Sequence, residues 1–179
     1  MNILFICAGN TCRSPMAEHI FREKTKYFKG FYNVHSFGMG AVDGMPASEN
    51  SVIAMQKRGI DITAHRSQKL SAQMVKDSDF IFCLSEQQYN ILINVAPEKT
   101  HLLGNGIADP YGGTLDVYEK CADAISEAID KILDSDIEDE MFNKKEGFDP
   151  TNGVEDSFDS LMVDCLRYFI KSKRASASS

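Results

Sequence analysis

The chain has no run of eighteen apolar residues among its 179, so no membrane span is expected. Met1 leads straight into an apolar strand pattern without a basic-then-apolar leader, and the protein reads as cytoplasmic. Basic residues are too few to dominate a surface: 19 Lys and Arg stand against 26 Asp and Glu, a net charge of -7. Nucleic acid is therefore not an expected partner. The acidic excess is local, since Asp134 to Asp164 holds eleven acids and two bases, whereas Met1 to Leu133 holds fifteen and thirteen. Five cysteines (Cys7, Cys12, Cys83, Cys121, Cys165) form an odd set without C-x2-C pairs. That pattern excludes both a disulfide framework and a zinc site, and no metal or other cofactor is called for. One thiol is better read as reactive.

At 43% hydrophobic residues, the chain has material for one sizeable core. Its first apolar run, Asn2 to Ile6, delivers Cys7 to a short loop, Ala8-Gly9-Asn10-Thr11-Cys12-Arg13, after which Ser14 and Pro15 open a helix expected to reach about Phe28. Pro15 suits a first helical turn, where its missing N–H has no partner to lose. A loop between a strand end and a helix start gathers unpaired backbone N–H groups and the positive end of the helix dipole, and Gly9 keeps side-chain bulk out of the way. Phosphate fits such a cup. Arg13 adds a planar donor fork for two phosphate oxygens, and positive surroundings favour the thiolate form of Cys7, to which Ser14 can donate a hydrogen bond.

Further along, Asn33 to Gly38 reads as a second strand, Ala47 to Arg58 as a helix, Asp79 to Leu84 as a third strand, Glu86 to Asn94 as a helix, and Thr100 to Leu103 as a fourth strand. From Thr114 a 3.6-residue stripe of Tyr118, Cys121, Ala122, Ile125, Ile129, Ile132 and Leu133 marks a long helix. Alternating strands and helices predict an α/β fold of three layers, a four-stranded parallel twisted sheet with helices on both faces. The loops after the first and fourth strands then open on one edge. His19, on the first helix, is read as a surface or boundary residue rather than a ligand and stays outside the chemistry, and Cys83 and Cys121 are assigned to packing.

Cys7 to Pro15 resembles the C-x-G-N-x-C-R-S-P signature of the low-molecular-weight protein-tyrosine phosphatases, and Asp109-Pro110-Tyr111 resembles that family's acid loop. The likeness covers residues 1–135 and implies Cys7 as nucleophile, Arg13 as phosphate binder and transition-state stabiliser, and Asp109 as general acid and base. It implies a phosphocysteine intermediate and a phosphorylated protein or peptide as substrate. Ala8, Gly9, Asn10, Thr11, Cys12, Ser14 and Tyr111 then line the substrate site, with Ser36 and His65 as support. Cys12 is placed to form a protective disulfide with an oxidised Cys7.

Two departures bear on the substrate. Ser36-Phe37-Gly38 is followed by Met39, Val42 and Met45, with no aromatic residue in the wall that flanks a phenyl ring in the family. Thr11 is small and polar where tyrosine-specific members commonly carry a bulky aliphatic residue, and Gly9 to Glu18 with Asp109 to Gly113 resembles the bacterial protein-arginine phosphatase branch. A hydroxyl at Thr11 and the charge of Asp109 suit a guanidinium, while the ring of Tyr111 can stack on either a phenol or a guanidinium plane. Phosphoarginine is favoured over phosphotyrosine on that ground. An arsenate reductase, which typically has Gln in place of Pro15 and needs a further cysteine pair, and a non-catalytic phosphate-binding module are the remoter alternatives. Residues 136–179 are read as an acidic connector, an amphipathic helix through Phe158, Leu161, Met162, Cys165, Leu166 and Phe169, and a disordered tail. That helix is suited to self-association or partner docking.

Overall fold

The computed structural model describes residues 1–28 and 30–134. The connector, helix and tail expected of residues 136–179, and any self-association through them, lie outside the described residues.

Four strands form one parallel sheet in the order β2-β1-β3-β4: β1 (Asn2–Cys7), β2 (Asn33–Gly38), β3 (Phe80–Cys83) and β4 (Thr100–Leu102). Around it lie α1 (Arg13–Lys24), α2 (Glu49–Gln56), α3 (Ala72–Asp77), α4 (Glu86–Leu92) and α5 (Leu115–Leu133). Side chains on a strand alternate faces, and β1 shows both being used. Ile3, Phe5 and Cys7 join the cluster that packs with α1 and α5, while Leu4 and Ile6 join the other with Val75 of α3 and Leu92 of α4. Covering on both sides is why the strand reads as an unbroken apolar run. Phe5 stacks on Phe82 at 5.6 Å between ring centroids and meets Phe21 at 5.7 Å, so the sheet and α1 share one aromatic core. Full burial of each such ring contributes roughly 1.5–3 kcal/mol.

The chain builds β1 to β2 on one side and then crosses to β3 on the other, so the loops leaving β1 and β3 diverge and leave a crevice at the carboxyl edge. Register puts Cys7 opposite Gly38 on β2, and Ile6 opposite Cys83 on β3. Gly38 has no room for a side chain: a Cβ there would sit 2.6 Å from the Ala8 carbonyl oxygen and 2.9 Å from the Asn10 nitrogen.

Element boundaries differ from the sequence reading in physically readable ways. α1 stops at Lys24 because the Thr25 hydroxyl donates to the Phe21 carbonyl (2.7 Å), and a 3-10 turn over Lys26–Phe28 follows. α2 is shorter than Ala47 to Arg58, starting after Ser48, whose hydroxyl accepts from the Ser51 amide. Asp79 precedes β3 and accepts from the Asn2 amide at 2.7 Å, Leu84 lies beyond its end, α4 ends at Leu92, and β4 ends at Leu102. α3 was not anticipated: six residues with Val75 alone buried leave no stripe to read. α5 matches its stripe, all seven residues being buried. Among the described residues no helix is long and apolar enough to cross a membrane.

Candidate active site

β1 ends by placing Cys7, 3% exposed, at the base of a loop of bends over Ala8 to Cys12. The orientation of that loop follows from its carbonyls, which are taken by donors outside it. Met39 N donates to Cys7 O (3.0 Å), Gly40 N to Ala8 O (2.9 Å), Ser48 N to Thr11 O (2.8 Å) and Met16 N to Cys12 O (3.4 Å). The His65 ring binds Asn10 O through Nε2 at 2.8 Å. With the carbonyls drawn outward, loop N–H groups are left facing in, the arrangement that makes an anion nest. The Asn10 amide already points at the Cys7 Sγ, 3.2 Å away.

Holding the loop in this shape requires Asn10 at φ 54°, a left-handed conformation that few residues other than glycine adopt. Its side chain is fully buried and fully engaged. Oδ1 accepts from the Gln68 amide (2.8 Å), and Nδ2 donates to the Ser14 hydroxyl (2.9 Å) and to the Ser36 hydroxyl (3.0 Å). Ser14 Oγ in turn lies 2.9 Å from Cys7 Sγ. Burial pushes the His65 pKa below the ordinary histidine range, which leaves the ring neutral near pH 7, with its Nε2 hydrogen given to the Asn10 carbonyl.

Arg13 is 6% exposed and donates from Nη1 to the Ile107 carbonyl (3.0 Å) and from Nη2 to Asp109 Oδ2 (2.6 Å). The other carboxylate oxygen of Asp109 accepts from the Tyr111 amide at 3.2 Å, and the side chain is half exposed. Asn50 of α2 ties down the far end of this loop by donating to Gly113 O (3.2 Å). A cavity of about 490 Å³ beside Arg13 and Asp109 is lined also by Ala8, Ser85, Glu86 and Gly106. Ala8 and Gly9 are exposed, Thr11 is partly buried, and Tyr111 is 82% exposed.

Cys12 turns away from the nest: its Sγ donates to Ser48 Oγ at 3.4 Å and lies 3.6 Å from the Tyr118 hydroxyl. Burial, reinforced by the bond to Cys12, pushes Tyr118 up to about 12. Burial likewise raises Cys83 and Cys121 to about 12, so both are neutral, unreactive thiols at physiological pH, in keeping with packing. Cys7, Cys12, Cys83 and Cys121 are all free, and no metal-holding cluster exists among the described residues.

Ser36 and His65 meet the loop through Asn10, and Asp109, bonded in turn to the Tyr111 amide, meets it through Arg13, while His19 binds the Pro15 carbonyl at 2.9 Å and sets its ring edge-on to that of His65 at 6.5 Å between centroids. Sequence reasoning missed Glu18, Ser48, Gln68 and Tyr118. Glu18 carried a faint signal, an acid one turn after Ser14 on the buried side of α1 beside Ala17 and Phe21. Gln68 carried none, because it acts through its backbone.

Residues 2–145 match the family model described as Low molecular weight phosphotyrosine protein phosphatase. The chain is 36% identical over 135 residues to the probable low molecular weight protein-tyrosine-phosphatase EpsP of Ralstonia nicotianae, a match covering 72% of this chain and 90% of that protein. It is 32% identical over 142 residues to a protein-arginine-phosphatase of Geobacillus stearothermophilus, covering 74% and 93%. Among solved structures, the YwlE arginine phosphatase, a mutant with a phosphorylated active-site serine, aligns with a TM-score of 0.69 at 29% identity over 76% of this chain and 97% of that one.

Proposed function

This chain belongs to the low-molecular-weight phosphotyrosine protein phosphatase family, a premise from which we propose that it removes phosphate from arginine side chains of proteins, with Cys7 as nucleophile. That it is a phosphatase of this class follows from the family; the residue roles and the preferred substrate are our reading. The observation that carries the roles is one short loop that turns the Asn10 N–H to the Cys7 sulfur at its start and holds Arg13, bonded to Asp109, at its end.

In the first step the Cys7 thiolate attacks phosphorus, loop amides and Arg13 hold the three non-bridging oxygens, and Asp109 gives a proton to the departing nitrogen of the guanidino group. The P–N bond breaks as the P–S bond forms. Arg13 has five N–H donors and uses two on Ile107 and Asp109, which leaves donors for phosphate. Water then attacks the phosphocysteine, Asp109 takes its proton, and Cys7 departs as thiolate with Ser14 donating to it. Ala8, Gly9, Asn10, Thr11 and Cys12 supply the cup through their backbone, and Ser36 and His65 hold its shape. We assign this chemistry to residues 1–135, acting on a phosphorylated protein or peptide in the cytoplasm, where free thiols such as these persist.

Two features favour phosphoarginine: Thr11, which leaves space and a hydroxyl at the cup's lip, and the carboxylate of Asp109 half exposed at the entrance. The competing substrate is phosphotyrosine, favoured by the EpsP relative, while the exposed ring of Tyr111 can stack on either leaving group. Turnover of phosphoarginyl and phosphotyrosyl peptides by the wild type and by Thr11→Ile decides between them. We expect the wild type to prefer phosphoarginine, and Thr11→Ile to move the kcat/KM ratio toward phosphotyrosine by roughly tenfold. An unchanged ratio removes the basis for the arginine preference.

A further inference from the structure

Glu18 is a charged residue buried to 7% exposure on α1, and neither step above uses it. Its Oε1 pairs with Arg22 Nη2 at 2.7 Å, and its Oε2 accepts from the Ser36 hydroxyl at 2.6 Å. From Ser36 a continuous line of bonds runs through Asn10 and Ser14 to Cys7. Donor and acceptor counting fixes the direction of every link.

Asn10 Oδ1 is committed to the Gln68 amide, so the Asn10 side chain cannot be flipped, and Nδ2 must be the group that faces both hydroxyls. Nδ2 spends its two hydrogens on Ser36 Oγ and Ser14 Oγ. Neither hydroxyl can then point its own hydrogen at Asn10. Ser36 turns its hydrogen to Glu18, which as a carboxylate only accepts, and Ser14 turns its hydrogen to the remaining neighbour, the Cys7 sulfur. The Asn10 amide is thus held in this orientation from two sides, by the Gln68 N–H on its oxygen and by the Ser36 hydroxyl that the Glu18 carboxylate turns away from its nitrogen, and that orientation sends the Ser14 proton to Cys7. Buried networks of this kind act as units, because each bond polarises the next and each unmatched donor is costly.

We propose that Glu18 is a positioning residue of the phosphatase reaction: through Ser36, Asn10 and Ser14 it keeps a hydrogen-bond donor aimed at the Cys7 sulfur. That donor matters twice, first when the sulfur must exist as a thiolate to attack, and again when it leaves as a thiolate from the phosphocysteine. The proposal rests on the reading of Cys7 as nucleophile. It adds a group that never touches substrate.

Without an acceptor at position 18, the Ser36 hydrogen loses its carboxylate partner and is free to face the Asn10 amide, a donor against a donor. Relief comes by turning Asn10 over, which gives up the bond from Gln68 and presents its oxygen to Ser14. Ser14 then donates to Asn10 instead of to sulfur. Glu18→Met removes the acceptor at similar length, whereas Glu18→Gln keeps an oxygen that can face Ser36 once the partly exposed Arg22 swings toward solvent.

The test is alkylation of Cys7 by iodoacetate at pH 6, together with steady-state kinetics and melting temperature, for Glu18→Met, Glu18→Gln, Ser14→Ala and the double variant Glu18→Met with Ser14→Ala. We expect Glu18→Met to slow alkylation and lower kcat by roughly tenfold each, with KM within about twofold. Glu18→Gln should recover most of both. In the Ser14→Ala background, Glu18→Met should add less than about twofold, since the two act through one bond. A Glu18→Met variant that melts earlier but alkylates and turns over like wild type overturns the proposal, as do effects that multiply in full with Ser14→Ala. Should Glu18→Met not fold, Ser36→Ala interrupts the same line and carries the same expectation of non-additivity with Ser14→Ala. Retained turnover in Cys7→Ser brings down the underlying reading itself, whereas an essential Cys7 indifferent to position 18 brings down only the relay.

Discussion

Asn10 in the loop after β1 and Tyr111 in the loop of Asp109 are held in opposite ways. Asn10 is fully buried and makes five hydrogen bonds, through its amide, its carbonyl and all of its side-chain polar groups. Tyr111 is 82% exposed, and its bond is a backbone one to Asp109. The floor of the site is over-determined, with a strained Asn10 backbone that only its surroundings sustain. The rim stands in water. Phosphate is the same in every substrate and rewards a fixed cup, while the group that carries it differs and is met by residues with few ties to the rest. Asp109 spans the two, with one oxygen on the buried Arg13 and the other on the rim.

Breaking that bridge has the largest expected effect. Asp109→Asn keeps the shape and removes the transferable proton, so kcat should fall on the order of a thousandfold with KM little changed, as measured on phosphoarginyl peptide. The loss should shrink for a substrate whose leaving group needs no protonation. Gly38→Ala tests the floor from behind, since its Cβ meets the backbone of Ala8 and Asn10 rather than a side chain that can yield. Displacing the cup costs activity steeply, on the order of a hundredfold, while circular dichroism should show the fold retained. At the lip, Thr11→Ile should leave the better of its two activities within about threefold of wild type while moving the substrate ratio by roughly tenfold. Smallest of all, Tyr111→Ala should raise KM by about three- to fivefold for peptides and leave turnover of a small aryl phosphate unchanged. A large fall in kcat for Tyr111→Ala would mean that rim and floor are not separable.

The division between floor and rim also decides what a sequence discloses. Cys7 to Pro15 and Asp109 to Tyr111 are contiguous, so their chemistry is visible as motif, and β1 announces itself as an unbroken apolar run and α5 by its stripe. The second half of the floor is assembled from distant segments. Ser36, Gln68 and Ser48 reach the loop only because β2 lies beside β1 and the chain doubles back, with Gln68 O accepting from Gly38 N and Ser48 N donating to Thr11 O. Ser36 and His65 were readable only through likeness to a family, and Gln68 and Ser48 not at all, since a backbone N–H carries no residue signature. Helix α3 escaped for a different reason. One buried side chain in six residues makes no period.

The most direct test of the whole account is to locate the phosphate during turnover. Asp109→Asn is mixed with an aryl phosphate whose leaving group needs no protonation, so that only the second step is slowed, then quenched within milliseconds to seconds and mapped by mass spectrometry under conditions that preserve phosphothiols. Phosphate on Cys7, accumulating in a burst and absent from Cys12, Cys83 and Cys121, is the predicted result. Phosphate on another residue, or steady turnover without any phosphoenzyme, would contradict it.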